Sequence, residues 1–255
     1  MSKLPPQHKF IDLSDYGRTG GKWIARNLQE TSFTPIHVTL LFVVSGLIGI
    51  YCILNGYYLQ AAFFLILKSI IDAADGELAR LKKTPSYTGR YLDSISDLLL
   101  NFLILVSIMY ITNASMILTL LAFIGLQLQG TLYNYYYVIL RNNVAGDVTS
   151  RIREDSTPVA LPGESQRTVT FFYRLYKSLY GVFDFIIYQL DKGAQDCKPF
   201  SNWFMTLLSV YGLGFQLLVI AAMLLLDLEY YIISVLLGMS ALIVIFIAIR
   251  KLFLK

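Results

Sequence analysis

The sequence predicts an all-α polytopic membrane protein, and three observations carry that prediction. Only 15% of the 255 residues are charged and 56% are hydrophobic, whereas a soluble domain carries roughly 25% charge. The apolar residues gather into six runs, each near the ~20 residues that a helix needs to cross a bilayer. All but one of the 21 lysines and arginines lie outside those runs or at their ends on one side, which is the charge asymmetry of membrane topology.

Residues 1–34 are a polar and amphipathic segment ahead of the first span. Met1 to Asp15 has no apolar core of a cleavable signal peptide. Tyr16 to Ser32 sets Trp23, Ile24 and Leu28 among Lys22, Arg26 and Asn27, the make-up of a helix lying in the membrane interface. Spans are expected over 35–55, 58–80, 90–112 and 115–140, and again over 201–226 and 230–250, giving three helical hairpins. The region 35–140 thus holds four spans and 201–255 the last two, with a long connection, 141–200, between them.

Basic residues set the orientation. Lys3, Lys9, Arg18, Lys22 and Arg26 precede the first span, and Arg80, Lys82, Lys83 and Arg90 lie at the turn between the second and third. The connection and the C-terminus hold the rest, except Lys68 inside the second run. The opposite turns, Gly56 to Gln60, Asn113 to Ser115 and Asp227 to Glu229, contain no Lys or Arg. Both termini are therefore expected in the cytoplasm.

Within the connection, Thr157-Pro158 and Leu161-Pro162-Gly163 mark loop. Further on, Phe172, Leu175, Leu179, Val182, Phe183, Ile186 and Leu190 recur at helical spacing, opposite Arg174, Lys177, Gly181 and Asp184. This is either an interfacial helix or one that covers the cytoplasmic end of the bundle. Its central charges argue against a further span.

The inventory restricts the chemistry. Cys52 and Cys197 are the only cysteines and His8 and His37 the only histidines, so zinc ribbons, CxxC redox pairs and HExxH sites are excluded. No long basic tract with interleaved aromatics points to nucleic acid. Carboxylates remain, and four of them cluster. Asp72, Asp75, Asp93 and Asp97 sit at the cytoplasmic ends of two consecutive spans, at spacings of three and four that place each pair on one helix face. Four acids sharing a site need counter-ions. Hard divalent cations, Mg²⁺ or Mn²⁺, suit oxygen ligands, and two ions account for four acids better than one. Gly76 and Ala79 are small residues beside the acids, fit for close approach of a ligand or for helix packing.

The string Asp72-x2-Asp75-Gly76-x2-Ala79-Arg80-x8-Gly89-x3-Asp93-x3-Asp97 resembles the signature of the CDP-alcohol phosphotransferase (CDP-alcohol phosphatidyltransferase) family, integral-membrane enzymes of phospholipid synthesis. Eight specified residues match by chance on the order of once in 10¹⁰ start positions. The resemblance implies metal-dependent transfer of a phosphoalcohol from a CDP-alcohol to an acceptor hydroxyl, with release of CMP. It implies metal ligands at Asp72, Asp75, Asp93 and Asp97, with Asp93 and Asp97 catalytic and Asp97 also the base that takes the acceptor proton. It further implies a nucleotide site of Asp75, Gly76, Ala79, Arg80, Gly89 and Asp93, and a homodimer. Donor and acceptor would be one lipid and one polar molecule. CDP-diacylglycerol with a small alcohol is favoured over CDP-choline or CDP-ethanolamine with diacylglycerol, and compactness points to a bacterial inner membrane. Span one begins Thr34-Pro35-Ile36-His37-Val38-Thr39, where many relatives have Pro-Asn-x-x-Thr, so Ile36 takes the place of the Asn.

Other polar residues have plainer readings beside the functional ones. Lys68, four residues before Asp72, is expected either to contact a substrate phosphate or acidic group or to pair with Asp72 or another motif acid. Tyr133, Tyr135, Tyr136 and Tyr137 read as an interfacial aromatic belt. Gln127, Gln129 and Asn134 fit either an acceptor cavity or interhelical hydrogen bonds. A proton- or cation-coupled transporter is the competing class, since buried acids also mark ion pathways. The crowding of the acids at one rim argues against it.

Overall fold

The structure is a computed structural model that describes residues 4, 8–143, 155–197 and 200–253, and among these it contains only helices, turns and loops. The helices are α1 (Arg18–Leu28), α2 (Pro35–Leu54), α3 (Tyr58–Lys82), α4 (Tyr87–Thr112), α5 (Met116–Asn143), α6 (Gln166–Leu190), α7 (Asn202–Leu208), α8 (Leu213–Leu225), α9 (Ile232–Ser240) and α10 (Leu242–Phe253).

Local sequence explains the ends. Thr34 caps α2 in a reciprocal box with His37, and Pro35 takes the first helical position, where its missing N–H costs nothing. That box gives His37 a capping role. Ser86 caps α4 through the backbone of Gly89 at 2.8 Å. At the other ends, Lys83 and Asn113 terminate α3 and α4 in the left-handed region, with φ of 55° and 51°, the conformation that closes a helix C-terminus.

Among the described residues, four helical stretches are long and apolar enough to cross a membrane: α2, α4, α5 and Glu229–Phe253. A fifth is added if Asn202–Tyr211 and Leu213–Leu225, bent by 54°, are one broken span. The remaining expected span, α3, has the length but carries Lys68 near its middle and Asp72, Asp75, Glu77 and Arg80 in its second half. Large apolar side chains such as Leu40, Val44, Leu47, Leu103, Ile117 and Val244 point outward. An exposed apolar girdle around internally hydrogen-bonded helices marks an integral membrane protein.

One core joins Ile53, Leu65, Ile104, Ile108, Leu224 and Leu236 of α2, α3, α4, α8 and α9. A second joins Tyr136, Phe204, Tyr211 and Phe246 of the later helices. Helix α1 lies on α3, with a Cβ at Gly21 only 2.9 Å from the Ala74 nitrogen. The broken span has a physical cause. The turn Leu13–Asp15 enters at the break, where the Leu13 N–H donates to Ser209 Oγ at 2.9 Å. A Cβ at Gly214 would overlap the Ser14 carbonyl oxygen.

Two expectations change. The tyrosines late in α5 are not a uniform belt. Tyr135 and Tyr136 are buried, and both hydroxyls donate to Asp191, at its carbonyl and its carboxylate respectively, while Tyr133 donates to Asp12 at 2.5 Å. Helix α6 is amphipathic as expected, but Val169, Tyr173, Tyr176, Phe183 and Ile187 are its buried side, while Val182 and Leu190 face outward. Phe172, Leu175 and Leu179 of the expected face pack against Tyr173 and Tyr176, and the tyrosines widen that face because they bury a large ring while satisfying a hydroxyl.

Candidate active site

Helices α3 and α4 are joined by a short turn and both pack on α2, so the acids near the turn converge. One oxygen from each of Asp72, Asp75 and Asp93 lies within 4.8 Å of the others. Asp75 is held from a third helix, because the Thr39 hydroxyl on α2 donates to its Oδ2 at 2.8 Å. Asp93 Oδ1 is buried without a hydrogen-bond partner. Three crowded carboxylates, one with an orphaned oxygen, fit a hard divalent cation. The donor set has no nitrogen or sulfur that would favour a softer metal.

Asp97 stands apart from that group. It pairs with Lys68, whose Nζ also lies 3.4 Å from Asp72 Oδ2. Lys68 is fully buried, with its ammonium 4.7 Å from the centre of the Phe42 ring.

The remaining expected site residues surround one open cavity of about 2160 Å³. Gly76 faces it, and a Cβ there would approach only the Arg80 guanidinium, at 3.6 Å. Ala79 also lines the cavity, while Gly89 sits in the capped first turn of α4. Arg80 is paired with Glu77 at 3.0 Å. Glu77 had no distinguishing place in the sequence pattern, although its i,i+3 relation to Arg80 is a recognisable helix pair. Gln129 serves interhelical bonding, donating to Leu236 O and Ser240 Oγ and accepting from Gln216. Gln127 and Asn134 both line the cavity.

The connection also reaches the site. Glu164 accepts hydrogen bonds from Ser86 Oγ and the Thr88 N–H, both at 2.8 Å, and from the Tyr87 N–H at 3.1 Å. It therefore sits on the free N–H groups that open α4, the favoured place for an anion. Tyr180 of α6 donates to the Ser94 carbonyl at 2.8 Å, one residue past Asp93.

Fold and site together define a polytopic membrane protein with an acid-bearing cavity among its helices. Residues 32–163, more than half of the chain, match the sequence profile of the CDP-alcohol phosphatidyltransferases, and the chain belongs to that family of lipid-synthesis transferases. No curated protein matches it.

Proposed function

We propose that the protein transfers a phosphatidyl group from CDP-diacylglycerol to the hydroxyl of a small polar alcohol, releasing CMP. The observation that carries this reading is the convergence of four motif carboxylates on a cavity lined by both polar residues and membrane helices. A lipid and a water-soluble molecule have to meet at such a boundary.

Asp72, Asp75 and Asp93 would hold a divalent cation, Mg²⁺ or Mn²⁺, which supplies charge neutralisation for the pyrophosphate and for the departing CMP. Gly76, Ala79 and Gly89 leave room for the cytidine nucleotide to lie close to α3 and α4. Arg80, steered by Glu77, presents its guanidinium towards Gly76 and thus towards a bound phosphate. Asp97 uses one oxygen for Lys68, and its second takes the proton of the acceptor hydroxyl. The acceptor oxygen then forms a bond to the phosphorus of the phosphatidyl group as the bond to the CMP oxygen breaks, and CMP leaves with that electron pair.

The same reading takes α3 as a true span, its charged half facing the cavity, which brings the count to six with both termini and the site on the cytoplasmic side. It takes the working unit as a homodimer. Purified protein given CDP-diacylglycerol, a pool of small alcohols and Mg²⁺ or Mn²⁺ should release CMP. Release instead from CDP-choline with diacylglycerol would reverse the donor assignment.

A further inference from the structure

Lys68 is a fixed cation where the four-acid motif calls for metal. It projects from α3 one turn before Asp72 and touches one acid from each helix, Asp72 of α3 and Asp97 of α4. Its side chain is wholly enclosed, with the Phe42 ring on one side. We propose that the Lys68 ammonium stands in the place of a second metal ion, so that the centre takes one divalent cation, on Asp72, Asp75 and Asp93, and Asp97 is oriented by lysine. This rests on the reading of the acids as a metal centre.

Two physical arguments support the assignment. A divalent ion bridging Asp72 and Asp97 would need Lys68 to release both carboxylates. The ammonium would then remain enclosed without an anionic partner, a state that is strongly disfavoured. If Lys68 stayed, the ion would sit within a few ångströms of a like charge screened by little water. An ion between Asp72, Asp75 and Asp93 leaves the Lys68–Asp97 pair intact, so the ammonium keeps an anionic partner, and three carboxylates rather than two offset the nearby like charge. There, Asp93 Oδ1 is the oxygen without a partner, and Asp75 is already steered by Thr39. Lys68 is therefore a positioning residue, acting through Asp97.

The test counts ions. Full-length protein in detergent is stripped with EDTA, dialysed and titrated with Mn²⁺, and free and bound ion are followed by electron paramagnetic resonance. The wild type should bind one Mn²⁺ tightly per chain and give an uncoupled spectrum. Lys68→Met should raise the count from one to two and produce a spin-coupled pair, while Lys68→Arg should keep it at one. Two tightly bound, coupled ions in the wild type would overturn the inference and leave the metal-centre reading intact, whereas none in folded protein would overturn both. A folded Lys68→Met that still binds one ion would also overturn the stand-in role. Should Lys68→Met fail to fold, the wild-type count decides alone.

Discussion

The Thr39 hydroxyl donates a 2.8 Å hydrogen bond to Asp75 Oδ2, tying α2 to the acid cluster of α3. Thr39 is almost fully buried, so water does not replace the bond. Groups that orient metal ligands are typically worth 10–100-fold in affinity. Thr39→Val should therefore weaken Mn²⁺ binding about 10-fold or more with the fold retained, and Thr39→Ser should largely preserve it. Calorimetric titration of the two variants checks this.

The break between α7 and α8 makes a second prediction. A Cβ at Gly214 would overlap backbone, the Ser14 carbonyl, whereas nothing lies within 4 Å of one at Gly238. Backbone cannot rotate aside as a side chain can. Gly214→Ala should cost about 1–3 kcal/mol, the usual range for overpacking, while Gly238→Ala in α9 should be neutral or stabilising, as expected of Gly→Ala in a helix. Thermal unfolding in detergent distinguishes them.

Glu164 gives the cavity rim a pH dependence. Burial pushes its carboxyl up, but hydrogen bonds from Thr88 first, then Ser86 and Tyr87, outweigh burial and hold it below its ordinary value of 4.5. Because the folded value is depressed, the contribution of these bonds is fully present above the unfolded value and is lost as pH falls through the folded one. The Leu161 N–H also donates to Glu164, at 3.3 Å, so hydrogen exchange at the Thr88 and Leu161 amides should accelerate as pH is lowered from about 6 to below 4, once the intrinsic pH dependence of exchange is corrected for. Glu164→Gln should flatten that response.

Asp191 and Arg250 form a buried ion pair joining the end of α6 to α10, with Arg250 Nε donating to Asp191 Oδ2 at 2.6 Å. Removing one partner strands a buried charge, at a cost of about 3–5 kcal/mol. Arg250→Met should destabilise the protein by that order, and the double variant with Asp191→Asn should recover much of the loss. Denaturation of the single and double variants measures the difference.

The sequence made the acids legible because three- and four-residue spacings put Asp72 with Asp75, and Asp93 with Asp97, on single faces of adjacent helices. The pairing of Lys68 with motif acids was foreseeable in part, since Asp72 stands one turn along the same helix. Thr39 was different. It stands at the Thr of the Pro-Asn-x-x-Thr pattern that opens span one, but its partner Asp75 lies 36 residues away, and nothing in the periodicity of α2 pairs the two. Glu164 lay in a stretch legible only as loop, because its partners are free N–H groups that appear once α4 has formed. The bend near Gly212 was hidden for a related reason. Residues 201–226 are apolar throughout, and it is the inserted Leu13–Asp15 turn, distant in sequence, that occupies the space of a straight helix.

The most direct test of the account is CMP release by purified protein supplied with CDP-diacylglycerol, small alcohols and Mg²⁺ or Mn²⁺, compared with Asp93→Asn and Asp97→Asn. The account predicts metal-dependent CMP from the wild type, a fall of about 10²-fold or more in each variant, and only background from CDP-choline with diacylglycerol. Undiminished CMP release by folded Asp93→Asn and Asp97→Asn would contradict it.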